Sequence, residues 1–352
     1  MADRQEHGAA RGGWRAYLGA IAALLLVAAS PAPARAADWA TVFIYHRFGE
    51  GAFPSTNIRL DQFEAHLAEL AQGGYAVLPV ADIIARLRAR ESLPERAVGI
   101  TVDDAYRSFY REAWPRLRRA GFPVTLFVAT DQVGGGAEMM SWDEIREVRG
   151  QGVAIGAHTA AHPHMPDLTE AEARDELERS RRRFVAELGE APALFAYPYG
   201  EYALALKPIV AASGHDTAFG QHSGVVHPGA DFFYLPRFAL NETYGDLGRF
   251  RLAARALPLP VTDVTPADPL VRAGANPPAM GFTVAAGIER LDGLACYATS
   301  EGRTEIERLG ERRFEVRFAR PFPYGRARVN CTAPGPDGRW RWFGMQFYVT
   351  RR

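Results

Sequence analysis

Cysteine is nearly absent from this chain: its 352 residues include only Cys296 and Cys331, both in the last quarter. Neither cysteine stands near a histidine or an aspartate in a recognisable catalytic arrangement, which argues against a cysteine nucleophile. In an exported protein, two cysteines predict one structural disulfide. Two unpaired buried thiols are the alternative.

The chain also lacks net charge, because 41 acidic side chains balance 41 basic ones. A balanced chain gives no electrostatic reason to expect nucleic acid or an anionic membrane as a partner. Apolar residues make up 47% of the sequence and low-complexity stretches are few, which is typical of an ordered globular protein. The length suits one large domain and one small domain.

Long hydrophobic runs are missing except for one near the N-terminus. Arginines precede the apolar run YLGAIAALLLVAAS, and Ala34-Arg35-Ala36 fits a signal-peptidase site. We therefore expect residues 1–36 to be a cleaved signal peptide and the mature chain to be exported, to the periplasm or outside the cell. A retained membrane anchor is the alternative, but the run is short for a span of about 20 residues.

Between residues 37 and 257, short apolar β-rich runs alternate with segments of helical period. Runs such as TVFIYH, AVGITVDD, PVTLFVAT and VAIGAHT predict strands. This order is typical of an α/β fold with a parallel sheet covered by helices, and the number of repeats favours a barrel. Functional side chains gather at strand ends in such folds, and five candidates stand at strand ends here: His46, Asp103, Asp104, His158 and Tyr199.

The composition and the periodicity of the sequence change after residue 257. Residues 258–279 are rich in proline and have no helical period, which predicts an ordered linker. Residues 280–352 contain short alternating runs such as RRFEVRF, ARVNC and WFGMQFYV, which predict a small antiparallel module resembling a β-sandwich. That module could bind a glycan or an assembly partner, although tryptophans such as Trp340 and Trp342 more often serve as core residues.

Three histidines fall within the segment IGAHTAAHPHM. His158 and His162 have helical spacing, but the neighbouring glycine and proline predict a loop, so a metal bound there needs a third ligand from elsewhere. The adjacent aspartates of TVDDAY can supply it, since two such carboxylates repel each other unless a cation neutralises them. One carboxylate and two imidazoles make an open three-ligand site, and the other carboxylate can then accept a proton. A helix N-cap is the alternative use of the aspartates.

Three motifs, TVDDAY, HTAAHP and FAYPYGEY, resemble in order and spacing those of the polysaccharide deacetylases, carbohydrate esterase family four. The resemblance covers roughly residues 40–240 and implies a distorted (β/α) barrel. Tyr45-His46 on an early strand and the YPYG loop resemble the branch that removes N-acetyl groups from exopolysaccharides such as poly-N-acetylglucosamine.

The resemblance implies that Asp104, His158 and His162 hold a divalent metal and that Asp103 is the general base. The amide of Tyr199 would stabilise the oxyanion together with the metal. Two imidazoles and a carboxylate suit Zn²⁺, while Ni²⁺, Co²⁺ and Fe²⁺ fit the same ligands.

Two positions depart from the family pattern. Many members carry the histidine acid in a Leu-x-His segment, where this chain reads YLPRFAL. His46 is the expected replacement and His222 the second candidate, although His46 could also be a hydrogen-bonded core histidine. The usual arginine before Pro-Tyr-Gly is replaced by the residues FAY, and Arg237 is expected to reach Asp103 instead.

Further side chains near these motifs have two interpretations each. We expect His164 on the substrate or solvent side, because a fourth protein ligand would close the metal site. Trp142 is expected to be a packing anchor, with sugar stacking as the alternative. Tyr199 and Tyr202 could also face a sugar.

Together these features predict an exported, metal-dependent hydrolase that removes acetyl groups from N-acetylated hexosamines of a polysaccharide. The motifs report the acetyl chemistry and not the glycan, so a peptidoglycan or chitin-oligomer deacetylase and an O-acetyl esterase are alternatives. A non-catalytic carbohydrate-binding protein is a third, disfavoured because binding alone needs no spare base. The exopolysaccharide export machinery is a further expected partner, and the sequence predicts no oligomeric state.

Overall fold

The structure, a computed structural model, describes residues 36–299 and 301–351. The predicted signal peptide lies outside the described residues except for Ala36. No helix in the described part of the chain is long and apolar enough to cross a membrane.

The first part of the described chain alternates strands and helices. In chain order these are β1 (Ala36–Ala37), β2 (Thr41–Tyr45), β3 (Arg47–Phe48), β4 (Asn57–Ile58), α1 (Leu60–Gln72), β5 (Ala76–Val77), α2 (Val80–Ala89), β6 (Leu93–Pro94), β7 (Ala97–Asp103), a π-helical turn (Phe109–Ala113), α3 (Trp114–Ala120), β8 (Thr125–Val128), α4 (Trp142–Gly150), β9 (Ala154–Ala157), a 3₁₀ turn (Met165–Asp167), α5 (Glu170–Leu188), β10 (Leu194–Ala196), a 3₁₀ turn (Pro198–Gly200), α6 (Leu206–Ala212), β11 (Thr217–Phe219), β12 (Phe238–Ala239) and α7 (Leu247–Ala254).

Eight of these strands form one parallel sheet in the order β11-β10-β9-β8-β7-β2-β12, with β5 beside β7. Every residue of β2 and β7 is buried, as expected for parallel strands covered on both faces. The far ends of the sheet meet at Leu235, whose backbone exchanges hydrogen bonds of 2.9 Å with Ala218 and Gly220. The sheet therefore curls into a barrel closed by irregular chain, which confirms the predicted distorted (β/α) barrel.

The remaining described chain consists mainly of strands. They are β13 (Leu257–Pro258), β14 (Val261–Thr265), β15 (Leu270–Val271), β16 (Met280–Val284), β17 (Ala295–Ala298), β18 (Gly302–Arg303), β19 (Glu305–Leu309), β20 (Arg313–Arg317), β21 (Gly325–Pro334) and β22 (Trp340–Val349), with 3₁₀ turns at Ala273–Ala275, Leu291–Gly293 and Pro336–Gly338.

These strands build two sheets around a second apolar core. One has the order β13-β22-β21-β17-β18 with β15 beside β22, and the other has the order β14-β16-β20-β19. Phe282, Phe314 and Phe347 are among the core side chains. Cys296 of β17 lies opposite Cys331 of β21 and the two are disulfide-bonded, which confirms the predicted bridge.

The proline-rich segment 258–279 is more ordered than a linker. It contains β14, which pairs with β16, and β15, which pairs with β22. Its prolines lie outside β14 and β15, so they remove no hydrogen bond from the sheet ladders. The prolines beside these short strands made the segment look irregular, and the sequence pattern therefore did not predict either strand. The described residues belong to one compact unit, and the division of the chain into two domains stays a prediction.

The long hairpin of β21 and β22 has two distinct faces, because successive side chains of a strand point to opposite sides. Val329 and Phe347 point into the second core. On the opposite face, the Trp342 ring packs edge-on against Phe238 of the barrel, with 5.2 Å between ring centroids. The hairpin therefore connects the C-terminal sheets to the barrel.

Candidate active site

The candidate site lies at the carboxyl ends of neighbouring strands of the barrel. Asp103 is the last residue of β7, and the next two residues, Asp104 and Ala105, have positive φ values of 76° and 56°. Such values are uncommon outside glycine, and here they turn the chain so that both carboxylates stay buried at the same strand end. His158 follows β9, the second strand along the sheet from β7.

Asp104, His158 and His162 offer one ligand atom each within 4.8 Å of one another. The Nε2 atoms of His158 and His162 lie 3.4 and 3.2 Å from Oδ1 of Asp104. Oδ1 is buried without a hydrogen-bond partner. Nδ1 of His158 donates to the backbone oxygen of Ala196 at 2.6 Å, which leaves a lone pair on its Nε2. This donor set fits an open divalent-cation site.

The pKa shifts of these groups favour positive charge between them. Burial would raise the pKa of Asp104, but the adjacent imidazoles of His158 and His162 hold it well below its usual range. Burial would lower the pKa of His158, but Asp104 and Asp103 raise it above the usual value. A cation site requires this electrostatic environment.

Asp103 has a different partner from its neighbour. Arg237 donates from its two terminal nitrogens to Oδ1 and Oδ2 of Asp103 at 2.7 and 2.8 Å, and both side chains are fully buried. Nε of Arg237 also donates to the backbone oxygen of Gly220, which fixes the guanidinium. Burial would raise the pKa of Asp103, but the charges of Arg237 and His158 and the hydrogen bonds from Arg237 together lower it. The structure thus brings Arg237 to Asp103, as we expected.

Tyr199 lies in the turn Pro198–Gly200 with a φ of 58°. Its ring meets the His162 ring edge-on, with 4.4 Å between centroids. Gly200 follows with a φ of 69°, and a Cβ at that position would lie 2.4 Å from the backbone nitrogen of Gln221, so only glycine fits. The backbone oxygen of Tyr199 accepts a 3.0 Å hydrogen bond from Nε2 of Gln346 on β22. The C-terminal hairpin therefore holds the loop beside the candidate metal ligands.

Residues 90–218, which include both aspartates and both histidines of the cluster, match the family described as Polysaccharide deacetylase. This part of the chain is therefore similar to the polysaccharide deacetylases. This match confirms the resemblance that the three motifs suggested.

The chain is also similar to individual proteins. It is 27% identical over 161 residues to the Bacillus subtilis protein YxkH, which covers 46% of this chain and only 57% of that protein. It is 23% identical over 221 residues to the poly-beta-1,6-N-acetyl-D-glucosamine N-deacetylase of Staphylococcus aureus strain MSSA476, which covers 59% of this chain and 76% of that protein.

Two solved structures share the fold. IcaB from Ammonifex degensii is 27% identical with a TM-score of 0.55, covering 62% of this chain and 98% of that chain. The Streptococcus pyogenes deacetylase PplD in complex with acetate has a TM-score of 0.57 at 20% identity, covering 61% of this chain and 98% of that chain. Relatives of the exopolysaccharide branch are thus among the matches.

The two histidines considered as general acids occupy different surroundings. Burial lowers the pKa of His46, while the nearby charges of Asp104 and Asp103 act to raise it. Burial also lowers the pKa of His222 to about 3, and the charges that act on His222 come from arginines. The carboxylates of the candidate site thus act on His46, whereas His222 packs against Tyr234 and lines a separate cavity.

His164, Trp142 and Tyr202 lie outside the cluster of candidate metal ligands. Nδ1 of His164 lies 2.7 Å from a carboxylate oxygen of Glu201, and the His164 side chain is 48% exposed. Trp142 is buried and packs edge-on against Phe184, as a packing anchor does. Tyr202 is also buried, so it does not offer a free face to a sugar.

Sequence reasoning missed Tyr106 and Arg47. Burial and the charge of Asp104 raise the pKa of Tyr106 to about 12. The guanidinium of Arg47 lies 3.6 Å from the centroid of the Tyr106 ring and 4.0 Å from that of Phe53. The signal was present, because Tyr106 ends the motif TVDDAY and Arg47 directly follows His46.

Proposed function

We propose that this deacetylase removes acetyl groups from N-acetylated hexosamine residues of an exported polysaccharide, using a bound divalent cation. The observation that carries the proposal is that the two adjacent aspartates have different partners: Asp104 faces two histidines, whereas Arg237 binds Asp103. The relative named as a poly-beta-1,6-N-acetyl-D-glucosamine N-deacetylase supports the choice of glycan.

Asp104, His158 and His162 would hold the cation, which supplies polarisation of the acetyl carbonyl and a water of lowered pKa. Zn²⁺ is the proposed ion, because Zn²⁺ commonly takes imidazole and carboxylate ligands in open catalytic sites. The hydrogen bond from His158 to the Ala196 carbonyl would keep its ring in the tautomer that binds through Nε2.

Asp103 would take the proton of the attacking water. Its low pKa keeps it ionised at neutral pH, and each carboxylate oxygen retains a further lone pair beside the one that Arg237 occupies. Arg237 therefore has two roles in the proposal, since it keeps the base charged and fixes the plane of the carboxylate.

The amide of Tyr199 would stabilise the negative oxygen that forms on the acetyl carbon. One such donor, aimed at the developing charge, is worth roughly 3 kcal/mol. Because Gln346 holds the carbonyl oxygen of Tyr199, the C-terminal hairpin would keep the loop in position.

His46 would protonate the amine that leaves. Its lowered pKa means that the ring is neutral at neutral pH before the reaction. It must therefore receive a proton during the cycle, and the proton that Asp103 removes from water is the nearest source in this scheme. This order of transfers is typical of a histidine that acts first as acceptor and then as donor.

We also propose that the chain works outside the cytoplasm. Structural disulfides persist in oxidising compartments, and Cys296–Cys331 is such a bond. The apolar run and the Ala34-Arg35-Ala36 segment support export through a cleaved signal peptide, and the polysaccharide export machinery is the proposed partner.

Acetate release from a panel of acetylated glycans tests the proposal. The panel contains N-acetylglucosamine polymers, peptidoglycan, chitin oligomers and O-acetylated polysaccharides, each tested with the wild type, Asp103→Asn and His158→Ala. We expect the wild type to release acetate from the N-acetylated polymer, His158→Ala and a chelator to abolish release, and Asp103→Asn to reduce it by at least about 100-fold. Preference for peptidoglycan, chitin or O-acetyl groups would replace the proposed substrate, and no release from any glycan would overturn the enzymatic proposal.

A further inference from the structure

A second cleft, of about 620 Å³, lies between the β17–β21–β22 face of the C-terminal sheet and the α7 side of the barrel. Neither the candidate metal ligands nor Asp103 line it. Its wall contains aromatic rings and arginines and includes no aspartate or glutamate. This volume and this lining are typical of a binding site rather than of a packing defect.

The floor of the cleft is the barrel-facing side of the hairpin. At one end of that side, Gln346 contacts the loop of the candidate active site. Arg328, directly opposite Gln346 on β21, lines the cleft, and so does Trp340 at the other end of β22. One sheet face thus runs from the deacetylase loop to the cleft.

Three aromatic rings of the cleft are unusually exposed: Tyr244 at 45%, Tyr297 at 44% and Trp340 at 39%. Trp340 is therefore not the core residue that its type suggested. Exposed aromatic rings gathered in one concave surface mark a recognition site. Flat rings that are apolar on their faces and polar at one edge suit the C–H faces and hydroxyls of sugars.

Three arginines line the same cleft: Arg249, Arg303 and Arg328. None of the three forms an ion pair with a carboxylate in the described part of the chain. Arg249 lies over the Tyr244 ring at 4.8 Å, and Nε of Arg328 donates to the Gln346 side chain at 2.9 Å. Burial, with the charge of the neighbouring Arg326, lowers the pKa of Arg328 to about 10, so its charge remains at neutral pH.

Unpaired arginines in a partly buried cleft favour an anion. Their planar guanidinium groups bind carboxylates and phosphates through paired hydrogen bonds, and partial burial makes the attraction stronger than in bulk water. The same charges would repel a glucosamine amine, which is cationic at neutral pH.

We propose that this cleft binds an acidic segment of a saccharide chain, in which sugar rings carry carboxylate, sulfate or phosphate groups. The aromatic rings would stack on the sugars and the arginines would pair with the acidic groups. The inference rests on the proposed function and adds that the polysaccharide carries acidic groups besides its N-acetylated hexosamine residues.

Calorimetry with the full chain tests the proposal, with chelator present so that the probes are not deacetylated. The probes are oligomers of one length: alternating glucuronate and N-acetylglucosamine, sulfated N-acetylglucosamine, neutral N-acetylglucosamine, its deacetylated form, and a glutamate peptide of matched charge. We expect an acidic oligosaccharide to bind at least about tenfold more tightly than the neutral one, with an affinity that falls as salt rises. The glucuronate and sulfated arms identify the acidic group.

Variants locate the binding. We expect the affinity for the acidic oligosaccharide to fall several-fold in each of three cleft variants, Arg249→Gln, Arg303→Gln and Tyr297→Ala. Two control variants outside the cleft, Arg174→Gln and Tyr324→Ala, should keep the wild-type affinity. Thermal melting confirms that each variant is folded. The proposal would be overturned if the neutral oligomer or the peptide bound as tightly as the acidic oligosaccharide. It would also be overturned if the cleft variants did not change the affinity, or if no acidic oligosaccharide bound. Because binding is measured without catalysis, the binding result can be interpreted even if the protein shows no deacetylase activity.

Discussion

The barrel and the C-terminal sheets are built around different interiors. In the barrel, charged groups are buried at the strand ends, where Asp103 pairs with Arg237 and Asp104 faces two histidines. In the C-terminal sheets, the interior is apolar and a disulfide joins two strands. Every described histidine lies before residue 257 and both cysteines lie after it.

This difference shows which part of the fold contains destabilising buried charges. A buried charge destabilises the fold by several kcal/mol unless a partner compensates it, and an apolar core carries no such cost. At the candidate site of the barrel, each buried charged group has such a partner: Arg237 lies beside Asp103, and His158 and His162 lie beside Asp104. The C-terminal sheets meet the barrel through Gln346, a buried polar side chain that contacts the Tyr199 loop.

The largest expected effect comes from the metal ligands. His158→Ala should reduce acetate release to background and lose the bound metal, because it removes one of the three proposed ligands. His164→Ala is the matched control, since His164 pairs with Glu201 instead, and it should keep the metal. Metal analysis of both purified variants checks this, and equal metal loss in the two would contradict the ligand assignment.

Arg237→Gln should have the next largest effect. The variant leaves the buried carboxylate of Asp103 without its charged partner, which costs about 3 to 5 kcal/mol of stability. Without the arginine, burial raises the pKa of Asp103, so the acidic limb of the activity profile should move to higher pH. Activity measured against pH checks the shift, and an unmoved limb would show that Arg237 does not act through Asp103.

Acid should destabilise the barrel through its buried histidines. Burial lowers the pKa of His66 and of His215 to about 4, below the value of about 6.5 expected when unfolded. The unfolded chain then binds more protons between these values, so this stability is present above pH ~6.5 and is lost as the pH falls towards 4. Each group contributes roughly 3 kcal/mol at most.

Urea denaturation at pH 7.5 and pH 5 measures that loss. The free energy of unfolding should be lower at pH 5, and His215→Gln should reduce the difference between the two pH values. The same free energy of unfolding at both pH values would contradict the assignment of neutral buried histidines.

Gln346→Ala should have the smallest effect and tests the contact between the two regions. Loss of one hydrogen bond to the Tyr199 carbonyl is worth about 1 kcal/mol, which corresponds to roughly a fivefold loss of activity. We expect the fall in kcat with bound metal unchanged, because Gln346 positions a loop and contacts no ligand. A variant with full activity would show that the hairpin does not support the loop.

The barrel and most of its site could be predicted from the sequence because their signals are local. Alternating strands and helices specify the sheet, and parallel strands place Asp104 and His158 at the same edge although 54 residues separate them. Arg237 was also within reach of prediction, since it stands just before β12, which lies on the other side of β2 from Asp103.

The contributions of the C-terminal region could not be predicted in the same way. Gln346 looks like any polar residue of a strand, and only the packing of the hairpin on the barrel brings it to Tyr199. The strands β14 and β15 were hidden by prolines beside them. The cleft formed with the barrel depends on which hairpin face remains uncovered, and no pattern within one strand reports that.

The most direct test of the account compares Asp103→Asn with Asp104→Asn. Both changes remove one negative charge from adjacent buried positions, and metal per chain and acetate release are measured for each. We predict that Asp104→Asn loses the metal and the activity, while Asp103→Asn keeps the metal and loses about 100- to 10,000-fold in activity. Metal retained by Asp104→Asn, or lost equally from both variants, would contradict the separate roles assigned to the two aspartates.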